Sequence, residues 1–202
     1  MKSSLMRPAL VLALALSLAS CGGKAGFTVA GTVSGQLYSG LVLTTNGMDV
    51  TVDPPVAPVT TAAFSFPNQV SYGDVYNVTV KQQPLHQTCA PVSAALATDT
   101  AGRLAQISVP FTCALNAYAI SGTVTGLTVD GLVLANGSTG GSTTLATGAT
   151  AFALPAVTFG VTYGVTVLTQ PAGLVCSVSP NGTGVMGDAA VTYIAVTCVP
   201  QT

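Results

Sequence analysis

Tryptophan and glutamate are absent from these 202 residues, and histidine occurs once. Charged side chains make up only 5% of the chain, against about 25% in ordinary globular domains. Beyond residue 20, three cations (Lys24, Lys81 and Arg103) stand against six aspartates. Binding a nucleic acid needs a basic stripe that neutralises several phosphates, and there is none. There is likewise no polybasic run to hold the chain electrostatically to anionic lipid. Triad chemistry needs a histidine beside a nucleophile and an orienting carboxylate. The single histidine, His86, lies in Pro84-Leu-His-Gln-Thr-Cys89, which reads as a solvent-exposed turn. The aspartates are scattered. Asp49 and Asp53 fall near one loop, but no Asp-x-Asp-x-Asp run for calcium exists. Phosphate loops and nucleotide fingerprints are missing as well, so no cofactor, no metal and no enzymatic activity are expected.

What replaces charge is Thr, Ser, Gly, Ala and Val. The N-terminal segment differs from the rest. Lys2 and Arg7 precede an apolar run from Pro8 to Ala19, too short to span a hydrocarbon core, which takes roughly 20 residues. A charged start, a short apolar core and a small-residue exit describe a secretory signal peptide over 1–20. Its exit, Leu18-Ala19-Ser20-Cys21, resembles the lipobox of bacterial lipoproteins, where a dedicated peptidase cuts before the cysteine. The resemblance implies a lipid on the Cys21 sulfur, a tether over 21–26 and a protein held to a membrane. Gly22 follows the cysteine, and the resemblance then implies the outer membrane.

The remainder is a sequence written twice. Gly31-Thr-Val-Ser-Gly35 recurs as Gly122-Thr-Val-Thr-Gly126, and Gly40-Leu-Val-Leu43 as Gly131-Leu-Val-Leu134. Phe64-Ser-Phe-Pro67 answers Phe152-Ala-Leu-Pro155, and Tyr76-Asn-Val-Thr-Val80 answers Tyr163-Gly-Val-Thr-Val167. Pro84 to Cys89 matches Pro171 to Cys176, and Cys113 matches Cys198. The order never changes, so two domains are expected, 27–114 and 117–200. Within each, Val and aromatic residues alternate with polar ones, and Gly, Pro and Asn clusters interrupt at intervals of about ten residues, the pattern of short half-buried strands. No window carries a helical stripe. The expected fold class is all-β, two tandem β-sandwiches. The motif series resembles immunoglobulin-like or prealbumin-like repeats of bacterial surface proteins. That resemblance implies architecture and carries no activity.

Five cysteines leave one over. With Cys21 assigned to the lipid by the lipobox, the repeat chooses among the pairings of the other four, because each copy holds one cysteine after Tyr-x-Val-Thr-Val and one near its end. Disulfides Cys89–Cys113 and Cys176–Cys198 are expected. Functionally the chain reads as a non-enzymatic surface or envelope protein acting in structure or in protein interaction. Its low charge leaves edge strands with little electrostatic protection against a partner strand. The alternative is a small-ligand or glycan-binding module, with Tyr38, Tyr72, Phe159 and Tyr193 as stacking rings. A hydrolase built on the scattered aspartates is the remote third reading.

Overall fold

A computed structural model describes residues 24–137 and 140–202. The expectations for the signal peptide, for Leu18, Ala19, Ser20 and Cys21, and for most of the tether fall outside those residues. The first half runs through β1 (Gly26–Phe27), β2 (Val29–Ser34), β3 (Leu41–Thr45), β4 (Met48–Val52), β5 (Thr61–Ser65) and β6 (Val70–Ser71). It continues through β7 (Val75–Asn77), β8 (Thr79–Gln82), β9 (Gln87–Pro91), one helical turn α1 (Ala94–Ala97), β10 (Thr98–Thr100) and β11 (Ile107–Leu115). The second half runs through β12 (Ala117–Thr125), β13 (Leu132–Asn136), β14 (Ser142–Leu145), β15 (Ala151–Thr158) and β16 (Thr162–Thr169). It ends with β17 (Leu174–Val178), a 3-10 turn (Pro180–Gly182), β18 (Thr183–Val185) and β19 (Val191–Pro200). The fold is all-β.

Each half packs two sheets face to face. In the first, β5-β2-β11-β9 covers β4-β3-β8; in the second, β15-β12-β19-β17 covers β14-β13-β16-β18. The inner faces are the alternating positions of the repeat. Val29, Val33, Leu41, Leu43, Val109 and Phe111 are sealed in one core, and Ile120, Leu132, Leu134 and Ile194 in the other. Phe64 sits edge-on to Phe66 and Phe111 at 5.9 and 6.1 Å, the offset geometry that aromatic quadrupoles favour. Two separate cores result, one per copy of the repeat.

The glycines of the recurring Gly-Thr-Val motif have a packing reason. The first strand of each half lies parallel to the last, β2 along β11 and β12 along β19. Gly31 and Gly122 sit where these strands meet a phenylalanine from the neighbouring strand. A Cβ at Gly31 would strike the Val109 carbonyl and the Phe64 ring; one at Gly122 would strike the Ile194 carbonyl and the Phe152 ring. Absence of a side chain leaves room for the ring against the backbone. At the hairpin β3–β4, Asn46 and Gly47 both take positive φ, +47° and +74°, the two-residue turn that matches strand twist.

The disulfides join Cys89 to Cys113 across β9–β11 and Cys176 to Cys198 across β17–β19. The outer strand in each case is a sheet edge, and it is guarded. Gln83 accepts from the Cys89 N–H at 2.7 Å and donates to its carbonyl at 3.0 Å. Gln170 does the same to Cys176 at 2.7 and 2.9 Å. A glutamine amide thus stands in for the peptide of a next strand. The expectation that low charge leaves edges open is corrected at Cys89 and Cys176, because there a neutral side chain takes the place of a partner peptide.

Gly122→Ala is expected to destabilise the protein by about 1–3 kcal/mol, the usual cost of overpacking. Gly187→Ala, which points into open space, is expected to stay within about 0.5 kcal/mol. The difference in urea midpoint between the two variants measures it.

Candidate functional site

β11 ends at Leu115 and β12 begins at Ala117, so Asn116 alone separates the two sandwiches. That residue is held on both sides. Its N–H donates to the His86 carbonyl at 2.9 Å and its carbonyl accepts from the Phe159 N–H at 2.8 Å. Its side-chain oxygen accepts from Thr88 at 2.7 Å. His86 comes from the turn before β9 and Phe159 from the turn between β15 and β16.

Around this link the side chains form a clamp. The His86 imidazole stacks on the Phe159 ring with centroids 3.8 Å apart and planes 6° from parallel. Tyr38 meets both edge-on, at 4.8 Å from His86 and 6.1 Å from Phe159. His86 Nδ1 donates to the Asp188 carboxylate at 2.7 Å. The sequence expectation of a solvent-exposed histidine is corrected: the His86 side chain keeps 25% of its exposure and bridges the two halves. Its carboxylate partner lies 102 residues away in the chain, so no local pattern reveals the contact.

The repeat makes the specialisation visible. His86 takes φ +59°, a left-handed conformation that costs a non-glycine residue roughly 1–2 kcal/mol. The matching position in the second copy is Gly173, at φ +73°. The first copy therefore tolerates strain to place an imidazole where the second uses glycine. Two further exchanges support the clamp. Gln36 and Gln87 are both buried where the second copy has the core leucines Leu127 and Leu174. Gln87 accepts from the N–H groups of Leu37 and Tyr38 at 2.7 and 3.1 Å and donates to the Gly35 carbonyl at 2.8 Å. Gln36 donates to the carbonyls of Tyr38 and Val52 at 3.1 and 2.8 Å. Two amides thus pin the loop that presents Tyr38, whereas its counterpart Val129 sits on a loop pinned by leucines. Sequence reasoning missed both glutamines; the signal was the polar-for-apolar exchange between aligned copies.

The other candidate residues are not brought together. Tyr72 stays on the far end of the first sandwich. Tyr193 lies on β19, its hydroxyl 3.1 Å from that of Tyr163. That hydrogen bond, with burial, pushes the Tyr163 phenol up to about 12. The four rings considered for sugar stacking therefore make no common platform. The aspartates serve local structure. Asp49 pairs with Lys81, whose ammonium lowers its pKa first through a hydrogen bond. Asp74 accepts from the Ser71 N–H, Asp130 from the Thr147 N–H, and Asp99 from both the Thr100 N–H and Arg103. Among the described residues no three His, Cys, Asp or Glu side chains gather to hold a metal. Two shallow depressions of about 620 and 540 Å³, over Gly31–Phe64 and beside Tyr163, carry no carboxylate, imidazole or cation.

No protein-family model matches the sequence, and no curated protein matches it. Solved structures similar to it include the major pilin protein T-13 from Streptococcus pyogenes serotype GAS131465, at 12% identity and TM-score 0.32, with 89% of this chain and 98% of that chain covered. The major pilin protein T3.2 from Streptococcus pyogenes serotype GAS13637 is similar at 11% identity and TM-score 0.30, covering 87% and 98%.

His86→Ala is expected to free the two sandwiches from one another, seen as a larger radius of gyration and a broader distance distribution in solution scattering. His86→Gly is expected to do the same while raising the melting temperature of the first sandwich, because it removes the left-handed strain. Unchanged scattering for both variants would show that the clamp does not set the angle.

Proposed function

We propose that this chain is a lipid-anchored bacterial envelope protein that acts as a stiff non-enzymatic spacer. It carries the second sandwich away from the membrane and offers it to a protein partner. The observation that supports this reading is the clamp, which joins an imidazole, two aromatic rings and a carboxylate around a one-residue link. A joint so built resists bending. The units of the spacer are 27–114 and 117–200, with residues 1–20 removed as a signal and 21–26 as tether. The lipobox supports Cys21 as the acylated residue, with the outer membrane as destination.

Cys21→Ser is expected to move the protein from the detergent phase to the aqueous phase in a phase partition, with loss of the acyl mass on the N-terminal peptide. A wild-type protein without that mass would remove the anchor from the proposal.

The partner strand is best received by β14. The edges β9 and β17 are closed by glutamine at Cys89 and Cys176, and Pro155 interrupts the edge β15, where a proline withholds a ladder donor. In the facing sheet the edge β18 is only three residues long, whereas β14, Ser142-Thr-Thr-Leu145, is a longer edge without proline or charge. Thr144→Lys, which puts a charge on the exposed face of that edge, is expected to abolish capture of the partner from envelope extracts while leaving the thermal unfolding curve in place. Undiminished capture would place the partner elsewhere.

A further inference from the structure

The second sandwich receives the clamp on two residues, Phe159 and Asp188. The repeat places counterparts at the same end of the first sandwich: Tyr72-Gly73 for Phe159-Gly160, and Gly102-Arg103 for Gly187-Asp188. The backbone confirms the register. Gly73 N–H donates to the Ala101 carbonyl at 2.9 Å, as Gly160 N–H does to that of Met186 at 2.9 Å. Gly73 and Gly160 both take positive φ, +89° and +78°. The receiving end of the second sandwich is filled by His86 and Tyr38, but among the described residues nothing covers the equivalent end of the first. Tyr72 is 60% exposed and Leu104 52%, and the Arg103 side chain is 73% exposed.

Two features say what covers this end. The first is where the chain enters. The Tyr72 N–H donates to the Ala25 carbonyl at 2.8 Å, and β1 at Gly26–Phe27 pairs with β6 at Val70–Ser71. The tether therefore leaves beside Tyr72, and four residue steps from Cys21 to Ala25 reach at most about 14 Å. The second is the change of residue type between copies. The aromatic ring gains a hydroxyl and the carboxylate becomes a guanidinium, turning a site that accepted imidazole into one that suits phosphate. Lys24 adds a second exposed cation. Two carboxylates lie nearby: Asp74 accepts from the Ser71 N–H, and Asp99 accepts from the Thr100 N–H and from one guanidinium nitrogen of Arg103, which leaves the other nitrogens of that exposed side chain for phosphate.

We propose that this end of the first sandwich is a lipid-headgroup contact. Tyr72 and Leu104 seat at the level of the headgroups, where amphipathic rings partition, and Arg103 and Lys24 face lipid phosphates. The contact alone is too small to bind a membrane. Its role is to orient a protein that the Cys21 lipid already holds, so it rests on the anchoring reading above. Lipid and clamp together then make one upright body, with the second sandwich outermost.

The absence of tryptophan from the chain makes the test direct. The protein, with Cys21 acylated, is reconstituted into phosphatidylethanolamine–phosphatidylglycerol vesicles carrying lipids brominated near the headgroup. A single indole is introduced by Tyr72→Trp, by Leu104→Trp as a second probe of the same end, or by Val129→Trp at the far end of the second sandwich. The first two are expected to blue-shift, to lose emission to the brominated lipid and to gain protection from iodide, and Val129→Trp to do none of these. Adding Arg103→Asp to Tyr72→Trp is expected to restore iodide access with the protein still bound to vesicles. Equal iodide access at all three positions in the anchored protein overturns the headgroup contact and leaves the anchor intact. An unacylated Cys21 in the native protein overturns both.

Discussion

Asn116 is the only residue between the last strand of the first sandwich and the first strand of the second, and that brevity constrains everything around it. Two β-sandwiches joined by a single residue have their facing ends in contact, so those ends must be complementary. The chain meets this constraint with stacking more than with charge. An imidazole lies parallel to a phenyl ring at 3.8 Å, a tyrosine closes the edge, and one hydrogen bond to Asp188 fixes the rotation of the ring. The pair is partly exposed, so its electrostatic share is small; the flat contact and the backbone bonds of Asn116 carry the joint.

That joint explains where the two copies diverge. Their cores follow one plan, down to the glycines under Phe64 and Phe152 and the glutamines that close the disulfide edges. Divergence is concentrated in the ends. Gln36, Tyr38, His86 and Gln87 in the first copy stand where the second has Leu127, Val129, Gly173 and Leu174. Burying two amides is costly unless they are bonded. Both polar atoms of the Gln87 amide have partners, while the Gln36 carbonyl oxygen has none. A leucine pair packs the second copy without that cost. The first copy bears it because the loop it pins carries Tyr38.

Much of the fold was legible in the chain. Alternation over Val29–Val33 and Tyr76–Val80 marks half-buried strands, since successive side chains on a strand face opposite ways. The repeat marked two cores and chose the cysteine pairs, because homologous positions in like sandwiches occupy like places. The joint was only half legible. Aligning the copies singles out His86 opposite a glycine, and that exchange announces a special backbone, but not a partner. The edge guards were hidden for a similar reason: Gln83 and Gln170 look like ordinary turn residues before a proline, and their amides matter only once Cys89 and Cys176 are placed on an outer strand.

By itself, then, the sequence determined the β-class, the doubled plan and the inward faces, all of which depend on local periodicity or on matches along the chain. Only the tertiary structure decided which end of each sandwich faces what. Phe159, Asp188 and His86 are far apart in the chain and carry no shared spacing; they converge because two sheets end at one link. The same geometry placed Tyr72 and Arg103 beside the entering chain, a neighbourhood no linear pattern encodes.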